Sequence, residues 1–82
     1  MVSCMVTASL PADWKADSIF AVFRLPDGSL KAVRARYDAA TGTLSFVTDT
    51  ASEFTLVNFE YRGTLYTPQF YAALETYLKT LG

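Results

Sequence analysis

Hydrophobic and polar positions alternate with a period of two over much of the chain before residue 62, a pattern typical of half-buried β-strands. The turn segments 26–29 and 38–42 interrupt this alternation, and each carries an aspartate and a glycine where a hairpin needs them. The pattern therefore predicts strands at 2–10, 18–25, 30–37, 43–48 and 54–61.

The predicted strands differ in which faces they bury. Segment 18–25 is apolar on both faces except at Arg24, which predicts a central strand covered from both sides. In segment 43–48, Leu44 and Phe46 share the inner face. The residues of segment 30–37 divide between two faces, with Val33, Ala35 and Tyr37 on one and Arg34 and Arg36 on the other.

The hydrophobic spacing changes to that of an amphipathic helix after Gly63. Thr67 can cap a helix, Pro68 suits its first position, and Gly82 is a plausible stop. An isolated helix of this length is marginal in water, so we expect it to dock its apolar stripe on the sheet. That stripe comprises Phe70, Leu74, Tyr77, Leu78 and Leu81.

These elements predict a mainly β fold with one C-terminal helix. The expected architecture is a small five-stranded antiparallel Greek-key-like sandwich or a partly open barrel. Residues 1–61 would form the β module, and residues 62–82 would form a linker and an amphipathic helix packed on the sheet. A chain of 82 residues is at most one domain with one core.

Composition excludes several classes of protein. Hydrophobic residues make up 51% of the chain and aromatic residues 15%, which excludes a disordered chain. Seven basic and eight acidic residues leave no basic patch, which argues against nucleic acid as a partner. The sequence contains neither a membrane-spanning stretch nor a signal peptide. If Met1 was added to an excised fragment, a signal would lie upstream in the parent protein.

The residues that usually carry catalysis are scarce. The chain has no histidine, which excludes histidine-dependent nucleophiles and imidazole metal ligands. Cys4 is the only cysteine and alternates with polar residues, as a buried small hydrophobe would. Asp13 and Asp17 flank Trp14, but a sheet this small offers no cleft for a glycosidase pair. We therefore expect a protein that is not an enzyme and that holds no metal or cofactor.

Two groups of residues are candidates for ligand binding. Arg34 and Arg36, together with Arg24, could form a cationic face that holds a carboxylate or an acidic polymer, or they could be solvated and paired with acids across strands. If exposed together, the aromatic residues could stack on sugar rings, or they could pack at the junction of sheet and helix. The aromatic candidates are Trp14, Tyr61 and Tyr66, followed by Tyr71 and Tyr77.

Several short motifs between residues 6 and 57 recur in the same order in a known type of β module. They are LP at 10–11, AVFRL at 21–25, DGS at 27–29, YD at 37–38, TGTLSFVT at 41–48 and SEFTLV at 52–57. In this order they resemble the β module of Gram-positive bacterial cell-surface proteins that is often found next to S-layer homology repeats. The corner between the fourth and fifth predicted strands differs from the family pattern. Residues 49–52 read Asp-Thr-Ala-Ser, where the family commonly has His-Phe-Ser.

The resemblance implies a non-catalytic structural or interaction module of a secreted or wall-associated bacterial protein. Phe46 and Phe54 would be core anchors, and Thr48 and Ser52 would tie the corner. Its partners would be neighbouring domains or another protein, and it would lie outside the cell or in the cell wall.

Other functions and partners remain open alternatives. One is a module that binds carbohydrate or cell-wall polysaccharide through exposed aromatic residues. Another is a small intracellular interaction or regulatory domain, located in the cytoplasm. A homo-oligomer is a further alternative, because segment 2–10 carries no charge and would make an unprotected edge strand.

Overall fold

The computed structural model, which describes residues 2–7, 9–49 and 53–81, contains two antiparallel sheets and one helix. This confirms the mainly β class with a C-terminal helix, but the described residues form six strands instead of five. The strands are β1 (Val2–Thr7), β2 (Ile19–Arg24), β3 (Leu30–Arg34), β4 (Arg36–Asp38), β5 (Thr43–Thr48) and β6 (Phe54–Asn58), and the helix is α1 (Pro68–Leu81).

Each sheet has three strands. Sheet A has the order β1-β5-β4, and sheet B has the order β3-β2-β6. All four strand pairings are antiparallel, and the two sheets do not close into a barrel within the described part of the chain. β1 is thus an edge strand of sheet A, and β2 is the central strand of sheet B.

The additional strand arises because the predicted strand 30–37 passes from one sheet to the other. Its first part, β3, pairs with β2 in sheet B, and its second part, β4, pairs with β5 in sheet A. Ala35 lies at the crossing, is 4% exposed, and donates its N–H to the carbonyl of Ile19 at 2.9 Å. A corner strand that switches sheets is a known device of packed sheets, and a small side chain fits this buried position.

A first hydrophobic cluster fills the space between the sheets. Phe23 of β2 contacts Phe46 of sheet A and Phe54 of β6, with ring centroids 6.1 and 5.7 Å apart. Cys4 lies half-buried against this cluster, as expected for a small hydrophobe. The buried members are Ile19, Ala21, Phe23, Ala35, Leu44 and Phe46.

A second hydrophobic cluster lies between sheet B and the helix. Phe70 and Leu74 of α1 are fully buried against Phe20 and Val57 of the sheet. β2 therefore buries both of its faces, which confirms the prediction of a central strand covered on both sides. Leu81, the last residue of the predicted apolar stripe of the helix, lies outside this cluster and is 58% exposed.

The predicted turns and the helix start are formed by local hydrogen bonds. Gly28 and Gly42 adopt φ angles of 88° and 67°, which only glycine accepts without strain. The Thr67 hydroxyl accepts the N–H of Phe70 at 3.1 Å, as an N-cap residue does. Residue 8 of the first predicted strand, the corner at 50–52 with Ser52, and the predicted helix stop at Gly82 lie outside the described residues.

Candidate functional site

The five predicted ligand-binding residues lie in three separate places. Trp14 packs half-buried against the cluster between the sheets. Tyr61 and Tyr66 lie near the start of the helix, and Tyr61 packs against the cluster under α1. Arg34 and Arg36 flank the crossing at which the chain passes between the sheets.

Trp14 and Tyr61 do not belong to one sugar-stacking platform, because they pack on opposite faces of sheet B. The Tyr61 ring meets the Phe70 ring edge-on, with centroids 4.8 Å apart, and stacks near Phe59 at 6.2 Å. Its hydroxyl lies 3.2 Å from that of Thr67. Tyr61 therefore packs at the junction of sheet and helix, which is the second of the two alternatives predicted for the aromatic residues.

Tyr66 is the aromatic candidate that remains in solvent. Its side chain is 62% exposed, and its φ angle of 74° is unusual for a bulky residue. Its ring lies 6.5 Å from that of Tyr71. Burial raises the pKa of the Tyr71 hydroxyl, and a backbone hydrogen bond from Ala32 opposes that rise in pKa.

Arg34 and Arg36 line a shallow pocket of about 420 Å³ at the sheet crossing. The alternation of β3 and β4 keeps both side chains on the outer side of the sandwich, while Ala35 between them is buried. Both arginines line one concavity where the chain passes between the sheets. The pocket is lined by Ala16, Asp17, Arg34, Ala35, Arg36 and Tyr37.

The two arginines are held differently. The Arg34 guanidinium lies over the Phe20 ring, 4.7 Å from its centroid, and donates to the backbone carbonyl of Asp17. Arg36 is exposed on the outer face of sheet A, opposite Ser45 in the register. Neither guanidinium takes part in an ion pair with a carboxylate among the described residues.

The third arginine of the predicted cationic face lies elsewhere. Arg24 pairs with Leu30 in the register of β2 and β3, whereas Arg34 pairs with Phe20 at the other end of the same two strands. The Arg24 guanidinium lies 3.7 Å from the Glu75 carboxylate of the helix. The three arginines therefore do not form one face, and Arg24 instead lines a separate open groove of about 760 Å³ beside the end of the helix.

The outer face of sheet A exposes apolar side chains next to an unpaired edge. Met5 of β1 is 75% exposed and Val47 of β5 is 47% exposed. β1 pairs with β5 along one side, and its other side has no strand partner among the described residues. The uncharged edge and the outward direction of Val47 both follow from the sequence, but the position of Val47 opposite Ser3, beside the free edge, follows only from the register.

The described residues contain no group of three or more histidine, cysteine, aspartate or glutamate side chains placed to hold a metal ion. The one described helix is too short to cross a membrane. Comparison with protein-family models, curated proteins and solved structures found no match.

Proposed function

We propose that this protein is a non-catalytic interaction module that assembles through the free edge of β1. The observation that carries the proposal is the combination of an uncharged six-residue edge strand with an exposed apolar residue, Met5, near its middle. An exposed strand edge presents unpaired backbone donors and acceptors, which a further strand can satisfy.

The occupant of this edge is a second copy of the chain. Two β1 strands can pair antiparallel about a two-fold axis, so that the same surface serves both copies. β1 has no charged residue to oppose this pairing, and a net charge of −1 produces little repulsion between copies. The pairing would join two three-stranded sheets into one sheet of six strands.

The order of motifs in the sequence supports placing this module in a secreted or wall-associated bacterial surface protein. There it would act as a structural unit between neighbouring domains. The upstream part of the parent gene tests the location, because a secreted parent must encode a signal peptide. A parent gene that starts at Met1 with no export signal would contradict it.

Light scattering over a concentration series tests the assembly. The unmodified chain is expected to shift from one copy to two as its concentration rises, and Met5→Lys is expected to weaken this shift because like charges face each other across the new strand pair. Thr64→Lys is the matched control, since Thr64 is exposed in the loop between β6 and α1, outside sheet A, and the change adds the same charge. A chain that stays monomeric throughout the series would refute the assembly.

A further inference from the structure

We propose that the pocket at the sheet crossing is a binding site for a small molecule with a single carboxylate. This site is independent of the assembly edge, because the crossing leads into β4 and β1 is the opposite edge strand of sheet A. Two arginines on either side of a buried alanine line one concavity of about 420 Å³. Small-ligand sites typically have volumes of roughly 300–1,000 Å³.

Arg34 is held in place before any ligand arrives. Its contact with the Phe20 ring and its hydrogen bond to the Asp17 carbonyl restrict the long side chain and use only part of its five N–H donors. The remaining donors are available to an oxyanion, and a guanidinium fork matches the two oxygens of a carboxylate. Holding the fork in advance reduces the entropy that binding would otherwise cost.

Arg36 supplies the second donor group. It is exposed, and it pairs with no carboxylate of the described residues, so a ligand does not have to displace an existing ion pair. Ala35 and Ala16 add little bulk to the pocket lining between the charged groups. A carboxylate that enters the pocket can therefore meet both arginine side chains.

The charge of the lining selects the class of anion. Two arginines and the Asp17 carboxylate give +2 − 1 = +1, which one carboxylate neutralises. A phosphate dianion would be left with excess negative charge beside Asp17. The pocket should therefore bind a monocarboxylate in preference to phosphate.

Titration with sodium acetate tests the site, with sodium chloride used to hold the ionic strength constant. The Nε–Hε signals of Arg34 and Arg36 in NMR spectra are expected to shift along a saturable curve in the millimolar range. Arg36→Gln should raise the dissociation constant about tenfold, the usual effect of losing one charged hydrogen-bonding partner. Arg62→Gln is the matched control, because the Arg62 side chain is 88% exposed in a loop and does not line the pocket.

Four results would overturn the proposal. The first is a shift that grows linearly with acetate and does not saturate. The second is an unchanged dissociation constant in Arg36→Gln, provided that its thermal unfolding shows a folded chain. The third is tighter binding of phosphate than of acetate. A fourth titration, with N-acetylaspartate amide, separates a small acid from a protein side chain, and much tighter binding of this peptide mimic would overturn the assignment to a small molecule.

Discussion

The Phe46 ring meets the Phe54 ring edge-on, with centroids 5.0 Å apart and ring planes at 75°. Phe46 lies in sheet A and Phe54 in sheet B, so this contact joins the two sheets directly. Phe23, from the central strand of sheet B, contacts both rings. Rings from β2, β5 and β6 thus form one aromatic contact group.

A double-mutant cycle with Phe46→Leu and Phe54→Leu should reveal this contact. Edge-to-face aromatic pairs stabilise by about 0.5–1.5 kcal/mol beyond the area that they bury. The double variant should therefore lose less stability than the sum of the two single losses, by about this amount. Urea unfolding of the four chains measures the free energies of unfolding.

The control for this cycle replaces Phe54→Leu with Phe59→Leu. Phe59 belongs to the cluster under the helix, on the other face of sheet B from Phe46. Its effect and that of Phe46→Leu should add within about 0.5 kcal/mol. Equal coupling in both cycles would mean that the Phe46–Phe54 contact is not specific.

The buried faces of the strands could be predicted from the sequence because side-chain direction alternates along every strand. Val33, Ala35 and Tyr37 face the inter-sheet cluster as predicted, and so do Leu44 and Phe46. The apolar run of β2 likewise predicted burial on both faces. Each of these predictions depends on local periodicity alone.

The division of the third strand could not be predicted from the same periodicity. Alternation continues without interruption through Arg34, Ala35 and Arg36, although the chain changes sheets at Ala35. The candidate pocket could likewise be predicted only in part from the sequence. The proximity of the two arginines follows from their spacing, but the position of Asp17 beside them depends on how the preceding loop meets β3.

Leu74→Ala and Leu81→Ala should have very different effects on stability. Leu74 is fully buried against sheet B, and removing a buried leucine side chain costs about 2–5 kcal/mol. Leu81 is 58% exposed in the same helix, so its replacement should change the free energy of unfolding by no more than about 0.5 kcal/mol. Thermal unfolding of both variants gives the comparison, and equal losses would contradict the docking of the helix through Leu74.

Ser29→Ala should raise the pKa of the Asp27 carboxyl. The Ser29 hydroxyl donates to Asp27 Oδ1 at 2.6 Å, and this bond is the main cause that lowers the pKa of Asp27, with the Ser29 backbone N–H at 2.9 Å adding to it. A lowered pKa in the folded chain stabilises the fold above the unfolded pKa, and this stability is lost as pH falls through the folded pKa. An NMR titration of the carboxyl carbon measures the shift.

The unmodified chain and Ser29→Ala should differ in how much stability each loses in acid. The unmodified chain loses the Asp27 contribution below about pH 4, whereas Ser29→Ala has less of it to lose. Ser45→Ala is the control, because Ser45 lies on the central strand of sheet A, whereas this turn joins two strands of sheet B. An unchanged pKa of Asp27 in Ser29→Ala would show that the hydroxyl does not lower it.

The crossing at Ala35 makes the two sheets covalently and structurally interdependent. β3 and β4 are consecutive parts of one extended segment, and the Ala35 N–H is bonded to Ile19 at the start of the central strand of sheet B. Separating the sheets would expose this bond to water and pull β4 away from its neighbour. Mechanical load applied to one sheet passes to the other through this segment and through the connections from β1 to β2 and from β5 to β6, so the pair should yield together instead of peeling apart in stages.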